Sequence, residues 1–292
     1  MTILVVGSTG TIGKQVVAGL VQQGADVHAL VRDPSKAKFS EKVAVVRGDL
    51  MDIEAMRAAL SEVSTLFLLN AVTPDEVTQA LIALNLAREA GIERVVYLSV
   101  IHSDRYTNVP HFAGKHTVER MIEQFDIPAT ILRPAYFMDN DASLKMPLLE
   151  YGVYPMPVGS LGLSMVDSRD IADLAVAELL RRGHGAAPLP REIIPVVGPD
   201  RLTGKAIASI WSEVLGQPVS NGGDDVRTFE ETLKAFTPGW MAYDMRLMVE
   251  RFQTDGMLAD SEDVSRLVQR LGRPLHSYRE FATRTAAIWR QA

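Results

Sequence analysis

The strongest constraint on this chain lies at its start. The loop Gly7-Ser8-Thr9-Gly10-Thr11-Ile12-Gly13 sits between an apolar run at 3–6 and a helical pattern in which Ile12, Val16 and Leu20 recur every four residues. Each glycine of such a loop has its own physical reason. Gly7 permits the tight strand-to-helix turn, Gly10 lets backbone approach a pyrophosphate, and Gly13 lets the helix pack against the strand. Thr9, Thr11 and Ile12 complete the loop. Its free N–H groups and the positive end of the helix dipole make an anion site.

The next 120 residues repeat this alternation. Short runs rich in Val, Ile and Leu stand at 27–31, 43–46, 66–69, 95–98 and 130–132. They are too short for helices and lack polar alternation, as expected of strands buried on both faces. Helical spacing separates them: Val77, Leu81 and Leu84, then Val118, Met121, Ile122 and Phe125. Strand–helix alternation of this kind predicts an α/β, Rossmann-like, doubly wound parallel sheet.

After Pro134 the rhythm changes. A helix is expected over 168–181 with Asp167 or Ser168 as its cap, and a last strand over 193–197. From Thr203 the pattern is almost wholly helical. The expected division is a nucleotide-binding domain of 1–137 and 161–197 and a smaller, mostly helical substrate domain of 138–160 and 198–292.

Composition excludes several classes. The chain of 292 residues has no Cys, which removes disulfide scaffolds, thiolate metal sites and cysteine nucleophiles. A net charge of −6 with no long basic run argues against holding nucleic acid. No apolar stretch reaches the roughly 20 residues of a membrane helix, and the first residues do not read as a signal peptide. A cytoplasmic protein is expected.

Ligands of open α/β sheets bind at the carboxyl ends of the strands. Arg32 ends the second strand, where a guanidinium suits a 2′-phosphate, so NADP is favoured over NAD, with NAD possible. Asp33, before Pro34, reads as a cap for the next turn, and Lys36 reads as surface. Asp49 and Leu50 follow the third strand; Asp49 has two readings, acceptor from an adenine amino group or cap of the helix starting near Asp52. Asn70 and Ala71 follow the fourth strand.

The segment 111–123 carries the candidate chemistry. At about 100° per residue, Lys115 and His111 fall within about 60° of Val118, on or beside the apolar face. A lysine on the inner side near a positive helix end needs an anion or hydroxyl partner. A bound nicotinamide ribose offers hydroxyls; an ion pair with Glu119 is the structural alternative.

Taken together, GSTGTIG at 7–13, VRDP at 31–34, GDL at 48–50, VVYLS at 95–99, HFAGKHTVERMIE at 111–123, ILRPAYFMDN at 131–140 and DSRDIA at 167–172 resemble the short-chain dehydrogenase/reductase superfamily, and within it the NmrA-like branch. The resemblance implies a nicotinamide dinucleotide cofactor with neither flavin nor metal. The superfamily's active site is Tyr-x-x-x-Lys with a Ser. Lys115 matches the lysine, His111 stands in the tyrosine's place, and Ser99 and Ser103 approximate the serine. By the same resemblance, the stretch from Arg133-Pro134 through Tyr136, Phe137 and Asn140 runs past the nicotinamide, and His111, Tyr136 or water delivers the proton.

Two kinds of protein in that branch suit such a site. One reduces quinones, azo compounds or similar conjugated acceptors; the other binds the dinucleotide without turnover and signals to a protein partner. The aromatic and Met-rich tail, with Trp240 opening a helix after Thr237-Pro238-Gly239, suits a bulky planar acceptor. The expectation is therefore a reductase, monomeric or homodimeric.

Overall fold

The computed structural model describes residues 1–291 except for the side chain of Lys36. In chain order the first elements are β1 (Thr2–Val5), α1 (Thr11–Gln22), β2 (Asp26–Val31), β3 (Val43–Arg47), α2 (Ile53–Leu60), β4 (Thr65–Leu68), α3 (Glu76–Glu89), β5 (Val95–Leu98), α4 (Pro110–Gln124) and β6 (Ala129–Pro134). There follow a 3-10 helix (Met138–Ser143), α5 (Lys145–Glu150), β7 (Val153–Tyr154), α6 (Ser168–His184), β8 (Glu192–Val196), α7 (Gly204–Leu215), β9 (Ser220–Asn221), α8 (Val226–Leu233), α9 (Gly239–Thr254), α10 (Ser261–Leu271) and α11 (Tyr278–Gln291).

Seven strands form one sheet in the order β3-β2-β1-β4-β5-β6-β8. The pairings from β3 through β6 are all parallel. Every residue of β4 and β5 is buried, as their unbroken apolar runs predict. β3 is the edge strand, and there Ala44 and Val45 reach solvent. The order reverses between β1 and β4, the point at which such sheets open a crevice for ligands.

By contact the chain divides into two compact units, each discontinuous in sequence. The first comprises Met1–Val100, Gly114–Arg133 and Arg169–Ile194; the second comprises Ile101–Ala113, Pro134–Ser168 and Pro195–Ala292. The segment 101–113, expected with the nucleotide-binding half, groups with the second unit. Consequently the boundary falls inside α4, after Ala113.

One apolar expectation changes. Phe125 does not continue the core stripe of α4: it is 47% exposed, and the Arg88 guanidinium lies 4.2 Å from its ring centre. In the C-terminal segment Met248, Phe252 and Met257 are core, whereas Phe236, Trp240 and Tyr243 are exposed. Among the described residues no helix is long and apolar enough to cross a membrane.

Candidate functional site

The glycine loop is built as its spacing predicts, and each glycine is explained separately. Gly7 has φ +72°, and a Cβ there would come within 2.7 Å of the Leu69 carbonyl oxygen. At Gly13 a Cβ would fall 2.1 Å from the Gly7 carbonyl oxygen, so α1 seats against the loop only without one. The turn is held by Gly10 N–H donating to Gly7 O at 3.0 Å and by Ser8 Oγ donating to Leu30 O at 2.8 Å.

Gly10 differs from the other two. A Cβ there would meet only Gly7 O, at 3.4 Å, and otherwise open space. Gly10 is also the N-cap of α1; it supplies no side-chain cap, and the first turn holds no acidic residue. Thr9, Gly10 and Thr11 are exposed, while Ile12 and Gly13 are buried. The unfilled space thus sits over helix-start N–H groups that no side chain satisfies, which is what a phosphate needs.

A cavity of about 600 Å³ opens at the ends of the neighbouring strands, lined by Arg32, Asp49, Thr73, Asp75 and Gln79 among others. Arg32 is exposed; Asp33 instead turns to its own loop, accepting from Ser35 N–H at 3.1 Å. Asp49 Oδ1 accepts from Met51 N–H at 2.9 Å, and the cap of α2 is Asp52, which accepts from Ala55 N–H. Asp49 therefore closes a local turn and is not the helix cap. Leu50 is half-buried beside it. Bonds from Gln79 and Thr73 hold the Asp75 carboxyl below its usual range. Asn70 is buried and its Nδ2 donates to Gln79 Oε1 at 3.5 Å, but its Oδ1 has no hydrogen-bond partner, while Ala71 is exposed. An orphaned buried acceptor calls for a ligand or water donor. On these observations the residues present fit a dinucleotide.

Lys115 is buried, and its Nζ lies 3.7 Å from Glu76 Oε2, at the start of α3. The expected alternative partner, Glu119, is engaged elsewhere. It is fully buried and accepts from Arg133 through Nε at 3.0 Å and Nη2 at 2.5 Å, and from the Ser99 hydroxyl. Ser99 thus donates its proton to a carboxylate and is left only as an acceptor. Neither Glu76 nor Arg133 was expected as a partner in this cluster.

In the second unit His111 Nδ1 lies 2.7 Å from Asp244 Oδ1, and the His111 backbone N–H donates to Asp244 Oδ2 at 3.3 Å. Asp244 is almost wholly buried, and with its donor on Nδ1 the ring presents Nε2 to other partners. Sequence reasoning missed Asp244. The available signal was an acid on one stripe of α9 with Met248 and Phe252, which cannot stay buried without a partner.

Pro134 is buried at the end of β6, and Tyr136 and Phe137 are half-buried. The Tyr136 ring meets Phe252 edge-on, with centres 5.9 Å apart. Its hydroxyl lies 3.4 Å from Asp141 Oδ1, and burial together with the Asp141 charge pushes its pKa well above the ordinary phenol value. Asn140 is exposed, and Trp240 stands 39% exposed in the first turn of α9. Asp141 is the third acid that sequence reasoning missed, after Glu76 and Asp244. Within "MDND" it reads as a polar turn, although it is fully buried.

Relatives of known activity span the whole chain. An NAD(P)H azoreductase from Xenophilus azovorans is 30% identical over 295 residues, covering 98% of this chain and 99% of its own length. A (4-alkanoyl-5-oxo-2,5-dihydrofuran-3-yl)methyl phosphate reductase from Streptomyces griseus is 29% identical over 97% of this chain and 98% of its own. Among solved structures, an NADPH-dependent quinone oxidoreductase from Escherichia coli, complexed with NADPH, superposes with a TM-score of 0.86. It is 22% identical and covers 97% of this chain and 99% of that one, a likeness of fold.

Sheet order, glycine loop and relatives together define a Rossmann-fold reductase dependent on a nicotinamide dinucleotide. The profile of the NmrA-like family matches residues 1–278, and the chain belongs to that family.

Proposed function

We propose that this protein transfers hydride from NADPH, without a flavin, to a conjugated acceptor of the quinone or azo class. The observation that carries the cofactor choice is Arg32. It is exposed, lines the cavity at the β2 end, and forms no ion pair among the described residues. A planar fork in that position suits a 2′-phosphate better than ribose hydroxyls. The acceptor class follows the azoreductase, which matches this chain along its full length.

When bound, the dinucleotide supplies the hydride; the rest is positioning. Gly7, Thr9, Gly10, Thr11, Ile12 and Gly13 hold the pyrophosphate against the start of α1. Arg32 takes the 2′-phosphate. Asp49 and Leu50 lie along the adenine side, and the Asn70 amide and Ala71 backbone follow. Ser99 and Pro134 bound the nicotinamide end. Lys115, held by Glu76, donates to the ribose hydroxyls. Tyr136, Phe137, Asn140 and Trp240 hold the acceptor, and His111 or Tyr136 supplies its proton.

The test is direct. Purified protein with no flavin absorbance is mixed with NADPH and a panel of quinones, azo dyes and triphenylmethane dyes, and loss of the nicotinamide band is followed. Turnover with at least one conjugated acceptor is expected. Tight NADP binding by calorimetry with no consumption in any mixture would overturn the acceptor reading and leave a nucleotide-binding regulator that acts through a protein partner.

A further inference from the structure

Asp141 is fully buried, and its two oxygens are used unequally. Oδ2 accepts from Tyr154 at 3.0 Å and from Tyr278 at 2.5 Å. The Tyr278 oxygen in turn accepts from Trp211 Nε1 at 3.0 Å, which fixes its own proton toward Asp141. Oδ1 faces only the Tyr136 hydroxyl, at 3.4 Å. These groups come from the segment after β6 and from β7, α7 and α11.

Among the described residues no cation faces this carboxyl. The titratable groups around it are the three phenols, with the Asn140 amide reached through Tyr136. Asp139, on the same short helix, is turned away and accepts from Ser168 N–H and Oγ at 3.0 and 2.9 Å. The Arg284 guanidinium is paired with Asp167 at 3.0 Å. Burial without a counter-ion raises the Asp141 pKa to about 7, although each phenol pulls it down.

The asymmetry says where a proton rests. Two donors saturate Oδ2, so the proton of the neutral acid sits on Oδ1 and points at the Tyr136 oxygen. With Oδ1 protonated, Tyr136 accepts there and its own O–H is released toward another partner. With Oδ1 bare, Tyr136 must donate to Asp141. The protonation of Asp141 therefore sets the direction of the Tyr136 hydroxyl.

We propose that Asp141 is a proton-supplying positioning residue that acts through Tyr136. This rests on the reading above in which Tyr136 touches the acceptor. An acceptor that has gained a hydride needs one proton to form its new O–H or N–H bond. Tyr136 gives it, breaking its phenolic O–H, and Asp141 Oδ1–H breaks to restore the phenol. The carboxylate, held meanwhile by Tyr154 and Tyr278, takes a proton from solvent before the next turnover.

The pH dependence of kcat with NADPH and a soluble benzoquinone tests this, alongside carbon-13 spectra of aspartate-labelled protein without acceptor. In the wild type kcat should fall through one inflection near the Asp141 pKa, about 7. Asp141→Asn keeps an acceptor for Tyr154 and Tyr278 and an N–H for Tyr136 but has no proton to give. It should lose about tenfold or more in kcat and lose the inflection. Tyr278→Phe, which removes a bond that lowers the pKa, should move the inflection upward; a purely structural cluster would not do so. An inflection that persists in Asp141→Asn, or stays in place in Tyr278→Phe, overturns the proposal. So does an Asp141 carboxyl signal that titrates only in the ordinary range near pH 4. Absence of turnover at every pH with this quinone and with every other acceptor of the panel would instead remove the underlying reductase reading, and this proposal with it.

Discussion

Two of the buried carboxylates, one from each unit, are stabilised in opposite ways. Glu119, in the nucleotide-binding unit, faces a guanidinium through two prongs and receives a serine hydroxyl. Asp141, in the second unit, faces three phenols and, among the described residues, no cation. The first arrangement balances charge with charge and fixes the surrounding side chains. The second supplies hydrogen bonds without charge, so the acid stays near its titration point at neutral pH. The first carboxylate is placed to hold a shape, and the second is placed to change protonation.

The sharpest way to break this contrast is Glu119→Gln. It leaves the Arg133 guanidinium, only 14% exposed, facing a neutral amide, and should cost about 3 kcal/mol in urea unfolding. A loss within ~0.5 kcal/mol would mean that the ion pair does little. Lys115→Ala comes next: turnover should fall about tenfold or more, a change of roughly 1.4 kcal/mol in steady-state kinetics. Unchanged turnover would make Lys115 a partner of Glu76 and nothing more. Arg32→Ala should weaken NADPH by about tenfold in calorimetry and spare NADH; equal loss for both would show that Arg32 does not read the 2′-phosphate.

The remaining contrast is the sign of a pH slope. Asp141 binds its proton more tightly folded than unfolded, so the folded state holds the extra proton between about pH 4 and 7. Its contribution to stability is therefore largest at the acid end of that window and is lost as pH rises through about 7. Urea midpoints of Asp141→Asn should vary less over that window than those of the wild type. Parallel curves would place the titration elsewhere.

Much of this was legible in the sequence because it is local. The strands announce themselves as short apolar runs, and the glycine loop by three glycines within seven residues. What was not legible depends on partners far along the chain. His111 and Asp244 are separated by 133 positions, and Asp141 and Tyr278 by 137. Lys115 was read correctly as needing a partner, yet the partner is Glu76 on another helix and not Glu119 one turn on. Phe125 keeps helical spacing but lies just past the end of α4, where the core ends and Arg88 covers its ring. Periodicity places a residue on a face; it does not say what lies opposite.

The different footing of the loop glycines has a genetic consequence. Side chains at positions 7 and 13 collide with the protein itself, so alleles there should lower abundance along with activity. A side chain at position 10 meets open space and should leave a folded, abundant polypeptide blind to its nucleotide. A mutational scan scored for protein level would pass over that position, and one scored for turnover would flag it. The resulting allele would separate what the cell needs from the catalyst from what it needs from the mere presence of the chain.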